Sequence, residues 1–267
     1  MQPATKMALR VARQSSDFLK SQFGRRESGG KEAEAVLQQA EQVKQAVYDN
    51  CLEQLQKSYR EHYFAPMGDS DAQSHEKSWH VFPLLGESNY LRGIPDFGIA
   101  LLEKQRNRGI NLALIFPMLD EEFTASKGYG ATANGRRIRV AEQRHLGQCV
   151  VATNVVEMSR RDAHNPVYGE VTTMLAESSL GLRWSGCAVL EMARVAAGQL
   201  DAGAIIPEGA PCMAIGLMLL NEAGALSSDF AGNPSTEQSR QLVTANNRLF
   251  KEVLKALNPY RARLNQS

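Results

Sequence analysis

The segment Trp79-His80-Val81-Phe82-Pro83-Leu84-Leu85-Gly86-Glu87-Ser88-Asn89-Tyr90 is built like the rim of an active site, a strand running into Pro83 and a tight turn at Gly86. It offers almost no chemistry there, since Glu87 alone carries a carboxylate. Asp69 and Asp71 lie upstream. The cysteines, Cys51, Cys149, Cys187 and Cys212, are scattered through apolar surroundings without CxxC or Cys/His ligand spacing. That pattern reads as small buried hydrophobes of a reducing compartment, and suggests neither zinc nor a disulfide framework. His62, His75 and His80 share a region but form no helical i, i+4 pair, so no metal site is read from them. Ser185-Gly186-Cys187 opens a helix, whose backbone N–H groups could hold an anion, although Ser and Gly are common at helix starts in any case. The chain has no P-loop, no GxGxxG after a strand and no GxSxG. Arg136-Arg137-Ile138-Arg139 and Arg160-Arg161 lack interleaved aromatics and read as solvated faces rather than RNA grips.

The elements that must position these groups come from 267 residues, 43% hydrophobic and 22% charged, enough for a large core in one or two closely packed domains. With 30 Lys and Arg against 29 Asp and Glu, the formal charge of +1 leaves no whole-chain footprint of a nucleic-acid binder, and no direct nucleic-acid contact is expected. No apolar run approaches the roughly 20 residues of a membrane span, so no membrane contact is expected either. The first residues show no hydrophobic region followed by a cleavage site, and a cytoplasmic location is expected.

Pro3 and apolar Met7, Ala8, Val11, Phe18 and Leu19 predict an amphipathic first helix ending near Phe23-Gly24. After the polar loop RRESGGKEAEA, a second long helix reaches about Tyr59, with Ala35, Val36, Ala40, Val43, Val47, Cys51 and Leu55 on one side. From Trp79 the pattern turns to strands of an antiparallel meander, IPDFGIALLEKQ, GINLALIFPML and EEFTASK, with turns at Asn107-Arg108-Gly109 and Leu119-Asp120-Glu121 and a further strand after Asn134-Gly135. Beyond residue 147 strands and helices alternate: CVVATNV, a helix from Val167 to Ser178, CAVLEMARVAAG, LDAGAII, MAIGLMLLNEAG, ALSSDF, QLVTAN and RLFKEVLKAL. The expected class is α/β, layered α+β, with an N-terminal α+β part over 1–146 and a C-terminal α/β part over 147–267 forming one compact unit.

Several segments, in this order and spacing, resemble the inositol monophosphatase family of magnesium-dependent sugar-phosphate phosphatases over nearly the whole chain. They are Lys127-Gly128-Tyr129-Gly130-Ala131 with Asn134-Gly135, Ser185-Gly186-Cys187-Ala188 with Ala193 to Ala202, Asn221-Glu222-Ala223-Gly224-Ala225, and Thr244-Ala245-Asn246-Asn247-Arg248. The start, with Pro3, Ala8, Arg10, Ala12 and Arg13, looks most like the bacterial branch that doubles as a Nus factor in ribosomal-RNA antitermination. The resemblance implies an αβαβα sandwich and a symmetric homodimer. It also implies a motif W-x-x-D-P-I/L-D-G-T-x-N-F, in which both aspartates bind magnesium, the residue between them lends a carbonyl and the threonine helps to activate water. Those positions are Phe82, Leu85, Leu84 and Glu87 here, with Gly86 retained. The family's upstream Glu-Glu falls on Met67 and Gly68, its W-D-x-A-A-G on Pro211-Cys212-Met213-Ala214-Ile215-Gly216, and its V-T-x-x-D on Ala40-Glu41-Gln42-Val43-Lys44. The final aspartate is therefore Cys212, the inositol-contacting glutamate is Ile205, and Gly186, Cys187 and Ala188 stand at substrate-contacting positions.

Magnesium needs hard oxygen ligands in near-octahedral array, which Phe, Leu and Met cannot supply and the soft Cys serves poorly. The resemblance with its acids lost implies that the family's magnesium is absent and that the chain is a catalytically inactive protein acting through protein contacts. A partner in the transcription machinery follows by analogy. The alternative is a magnesium-dependent inositol or sugar phosphate phosphatase with a noncanonical site built on Asp69, Asp71 or Glu87. An apolar pocket that senses a small molecule is the third reading.

Overall fold

Pro3 locks the φ that suits a first helical turn, and α1 runs from there over Pro3–Gly24. The computed structural model describes residues 1–25, 33–67, 75–157 and 166–264, which divide into two compact units, Met1–Arg137 and Ile138–Ser267. In the first, α1 and α2 (Ala33–Ser58) pack together and against a sheet. Ala8, Val11 and Leu19 of α1 and Ala40, Val43, Val47, Cys51 and Leu55 of α2 form its core with Trp79, Val81, Ile99 and Leu101 of the sheet. Phe18 departs from expectation: it lies off the stripe of Ala8, Val11, Ser15 and Leu19 and is exposed. Ala35 and the loop before it fall outside the described residues and side chains.

The first unit's sheet has seven strands in chain order: β1 (Tyr63–Phe64), β2 (Lys77–Leu85), β3 (Gly98–Gln105), β4 (Arg108–Phe116), β5 (Glu121–Ser126), β6 (Gly130–Ala133) and β7 (Arg136–Ile138). From β2 to β6 it is the antiparallel meander that the sequence predicts. The β3–β4 turn is placed differently, since Gln105 pairs with Arg108 and the loop residues are Arg106 and Asn107, both with positive φ. This is the two-residue hairpin loop whose twist matches the strands, formed here without the glycine that usually marks it. Asn134 and Gly135, also at positive φ, make the β6–β7 turn as expected. In this unit two elements lacked a sequence signal: β1, which pairs parallel to β2, and the short helix α3 (Glu87–Arg92).

The second unit holds β8 (Val150–Thr153), α4 (Val167–Ser178), β9 (Gly181–Arg183), α5 (Ala188–Ala196), β10 (Ala202–Ile205), α6 (Ala210–Glu222), β11 (Leu226–Ser228), β12 (Leu242–Ala245), α7 (Asn247–Leu257) and α8 (Arg261–Leu264). Its sheet runs β11-β12-β10-β8-β9, parallel through β10, β8 and β9 and antiparallel at β12. Val151, Ala202, Ala204, Val243 and Ala245 share one core with Val167, Val171 and Leu175 of α4 and Leu249, Val253 and Leu257 of α7. Helix α7 starts at Asn246, whose side chain accepts from the N–H groups of Arg248 and Leu249, a strong N-cap. Helices α5 and α6 pack against one another, and α5 also lies on β8 and β10.

Candidate functional site

The corner between β2 and α3 carries the motif residues. Phe82 pairs with Ala100 and Leu85 with Gly98, so β2 holds one more residue than β3 between these pairs, a bulge at Pro83 and Leu84. Proline has no N–H to give a ladder and is at home in such a bulge. The chain then turns at Gly86, whose φ of 71° and ψ of 41° place it in the left-handed region, and its carbonyl accepts from the N–H groups of Asn89 and Tyr90. Glu87 is thereby set in the first turn of α3. Leu85 is buried, while Phe82, Leu84 and Glu87 are half-buried.

Helix α2 approaches this corner with a lysine. Lys44 Nζ lies 3.2 Å from Glu87 Oε2 and 2.6 Å from Glu41 Oε1, with only 17% of its side chain exposed. Burial opposes the charge most strongly, but hydrogen bonds to Glu41 and Glu87 and their charges outweigh it and raise the ammonium pKa above 10.5. Met67 reaches the same unit's core through a short tether. The Tyr48 hydroxyl donates to the Ala65 carbonyl at 2.9 Å, and the Ala65 N–H donates to the Trp79 carbonyl at 3.0 Å. Met67 and Leu84 both pack on the core beneath α1 and α2, whereas Phe82 stacks with His80 at 6.5 Å between centroids. Gly68, Asp69, Asp71, Arg160 and Arg161 lie outside the described residues.

In the second unit, Gly186 at positive φ leads into Cys187, the N-cap of α5, and Ala188, its first residue. The Ser185 N–H already donates to the buried Glu191 carboxylate at 2.7 Å, so one donor of this turn is committed within the protein. Ile205 closes β10 and is fully buried. Asn154 fixes the next residue from both sides, donating to the Ile206 carbonyl and accepting from its N–H, each at 2.7 Å. Burial pushes the Cys187 thiol up to about 12. Burial and then the Glu208 charge, with Cys187 nearby, raise Cys212 well above an ordinary thiol. Neither cysteine is a thiolate at neutral pH, and the thiolate is the form that binds metal or attacks.

This donor set does not fit magnesium. Among the described residues, Glu87, the sole carboxylate in the motif, and Glu41 of α2 are both paired with the Lys44 ammonium, and Met67, Phe82, Leu84 and Leu85 offer only hydrocarbon or thioether. Among the described residues no group of three His, Cys, Asp or Glu side chains could hold a metal ion. The Lys44–Glu87 contact is the feature that sequence reasoning left unjoined. Its signal was a base at one position and an acid at the other, from two motifs that the resemblance places in one site.

A mixed α/β chain with one seven-stranded and one five-stranded sheet, each served by helices, defines the class of the molecule. The structure of the extragenic suppressor protein suhB from Bartonella henselae superposes with a TM-score of 0.80 at 24% identity, covering 96% of this chain and 100% of that one. The sequence profile of the inositol monophosphatase family matches residues 1–262, and the chain belongs to that family. The Nus factor SuhB of Pseudomonas aeruginosa is 29% identical over 266 residues, 97% of each chain. The inositol-1-monophosphatase of Rhizobium meliloti is 33% identical over 175 residues, 66% of this chain and 65% of that one. Among the described residues no helix is long and apolar enough to cross a membrane.

Proposed function

We propose that this chain is a catalytically inactive member of the inositol monophosphatase family that acts through protein contacts, with transcription antitermination as its setting. The observation that carries the first half is the Lys44–Glu87 ion pair, in which Glu87 stands where the resemblance puts the threonine that helps to activate water and Lys44 where it puts the aspartate of V-T-x-x-D. In a two-metal phosphatase the ions lower the pKa of the attacking water and neutralise the leaving oxygen. A corner of Phe82, Leu84 and Leu85 around a neutralised glutamate can do neither. On this reading Met67, Phe82, Leu84, Leu85, Gly86, Glu87 and Cys212 are vestigial active-site positions, Gly186, Cys187, Ala188 and Ile205 are vestigial substrate positions, and the family's magnesium is lost.

The second half rests on analogy with relatives named Nus factor SuhB. It carries with it a cytoplasmic location, a protein partner in the transcription machinery and a symmetric homodimer. The test of inactivity is phosphate release from an inositol monophosphate by the purified protein, with magnesium and with EDTA. Both should match buffer alone. Turnover that survives repeated purification and vanishes with EDTA would return the chain to the enzymes.

A further inference from the structure

A chain of polar side chains runs through the first unit where α1 lies on the sheet. Ser126 Oγ of β5 and Thr5 Oγ1 of α1 share a hydrogen bond of 2.6 Å, and Thr5 Oγ1 donates to Asn111 Oδ1 of β4 at 2.8 Å. Asn111 Nδ2 donates to Glu103 Oε2 of β3 at 2.6 Å, and Glu103 Oε1 lies 3.1 Å from His62 Nε2. All but His62 are buried, and the Glu103 side chain is only 4% exposed. Hydrocarbon would join α1 to the sheet without the cost of taking a carboxylate out of water, so packing alone does not call for this network. Its Glu103 end opens into a cleft of about 470 Å³. Lys77 opens β2 beside this cleft and Leu85 closes the strand, which sets the cleft roughly 25 Å from the motif corner at about 3.3 Å per residue.

The rim of the cleft is cationic and aromatic. Lys77 and Lys127 line it and are exposed, and among the described residues neither forms an ion pair. The nearby Glu76 carboxylate is committed to Arg106 at 3.0 Å and Gln105 at 3.2 Å, and Glu103 is shared between His62 and Asn111. The charge left facing the cleft is therefore positive. Tyr129, also on the rim, is 66% exposed. Its turn is fixed by Gly128 and Gly130 at positive φ and by the Tyr129 N–H, which donates to the Ser126 carbonyl at 2.8 Å. On the inner wall Tyr59 stands edge-on to His62, with 5.0 Å between ring centroids. A carboxylate only accepts, so Glu103 keeps a proton on His62 Nε2 and leaves Nδ1 for a ligand.

We propose that this cleft binds a small aromatic anion, an aryl phosphate or aryl carboxylate. Lys77 and Lys127 take the charge, Tyr129 covers the ring, and His62, held by Glu103, gives the polar contact at the floor. The cleft stands apart from the motif corner, so the proposal does not depend on whether catalysis is lost.

The experiment is calorimetric titration of the full chain with phenyl phosphate and with benzoate, in EDTA so that no divalent ion can hold a phosphate elsewhere. Benzyl alcohol supplies the ring without the charge, and inorganic phosphate the charge without the ring. Both aryl anions should bind, and each control should bind about tenfold more weakly or not at all. Tyr129→Ala should weaken the aryl anions by about threefold to tenfold, and the double variant Lys77→Ala/Lys127→Ala by a similar factor. All these positions are exposed, so the variants should fold. Lys255→Ala, an exposed lysine of α7, should change nothing. In NMR spectra the ring resonances of His62 should move as benzoate is added, and those of His145 in the second unit should stay. The proposal is overturned if neither aryl anion binds, if the controls bind as well as the aryl anions, if Tyr129→Ala or the lysine double variant keeps full affinity, or if His62 stays silent.

Discussion

Gly98 faces Leu85 across the β2–β3 ladder, at the margin of the motif corner. A methyl group there would stand 2.7 Å from the Ile115 carbonyl oxygen and 2.8 Å from a ring carbon of Phe116. The backbone oxygen belongs to β4 and cannot swing aside as a flexible side chain would. Alanine ordinarily gains roughly 0.5–1 kcal/mol over glycine inside a strand, whereas overpacking a filled core costs about 1–3 kcal/mol. The clash wins, so Gly98→Ala should lower stability by about 1–2 kcal/mol net, read as a lower midpoint in denaturant. An unchanged or raised midpoint would mean that β3 and β4 can part at low cost. None of this was legible at residue level, because Gly98 sits in an ordinary strand pattern and its constraint comes from a neighbouring strand. The motif frame was legible: Pro83 and Gly86 carry their backbone roles in their residue types, and the structure uses both, one in the bulge and one in the left-handed turn. The Lys44–Glu87 pair joins residues 43 apart in sequence, so only the fold brings it into existence.

Elements with a period of their own were readable at their own scale. Helix α7 has Leu249, Val253 and Leu257 buried along one side and charged residues on the other, and its capping Asn246 stands just before the pattern begins. The same holds for β3 to β5, whose apolar runs are bounded by turn residues. The elements that escaped are the short ones. Strands β1 and β9 have 2 and 3 residues and exist because β2 and β8 offer them an edge, which is a tertiary effect with no local period. Helix α3, at 6 residues, is too short to declare an amphipathic face and is set by the glycines on either side, Gly86 and Gly93, both left-handed. The turn after β3 begins one residue earlier than expected, at Arg106 instead of Asn107, for a related reason: Arg106 takes a conformation that sequence reasoning reserves for Asn or Gly.

For the whole molecule, the balanced charge and the absence of a long apolar run were informative from composition, and the family was legible from scattered frame segments that serve packing rather than catalysis. Partner choice was not, since association depends on surface shape and a few central side chains rather than on a sequence period. The proposed homodimer has a simple check: light scattering at micromolar concentration should report about twice the mass of one chain, and a strictly monomeric mass would remove it. The central claim, that the family's metal site is lost, is tested most directly by linkage. A ligand that binds the folded chain alone raises the unfolding temperature by mass action, on the order of 2.7 kcal/mol at ~100 times its dissociation constant. Here Glu87 is tied to Lys44 and the motif around it is apolar, and on the proposed reading magnesium gains no ligand in the folded chain that it does not also meet in the unfolded one. Thermal unfolding curves of the unmodified protein in millimolar magnesium and in EDTA should coincide. A reproducible rise with magnesium, larger than that given by sodium chloride at equal ionic strength, would show that a metal site persists and would contradict the account.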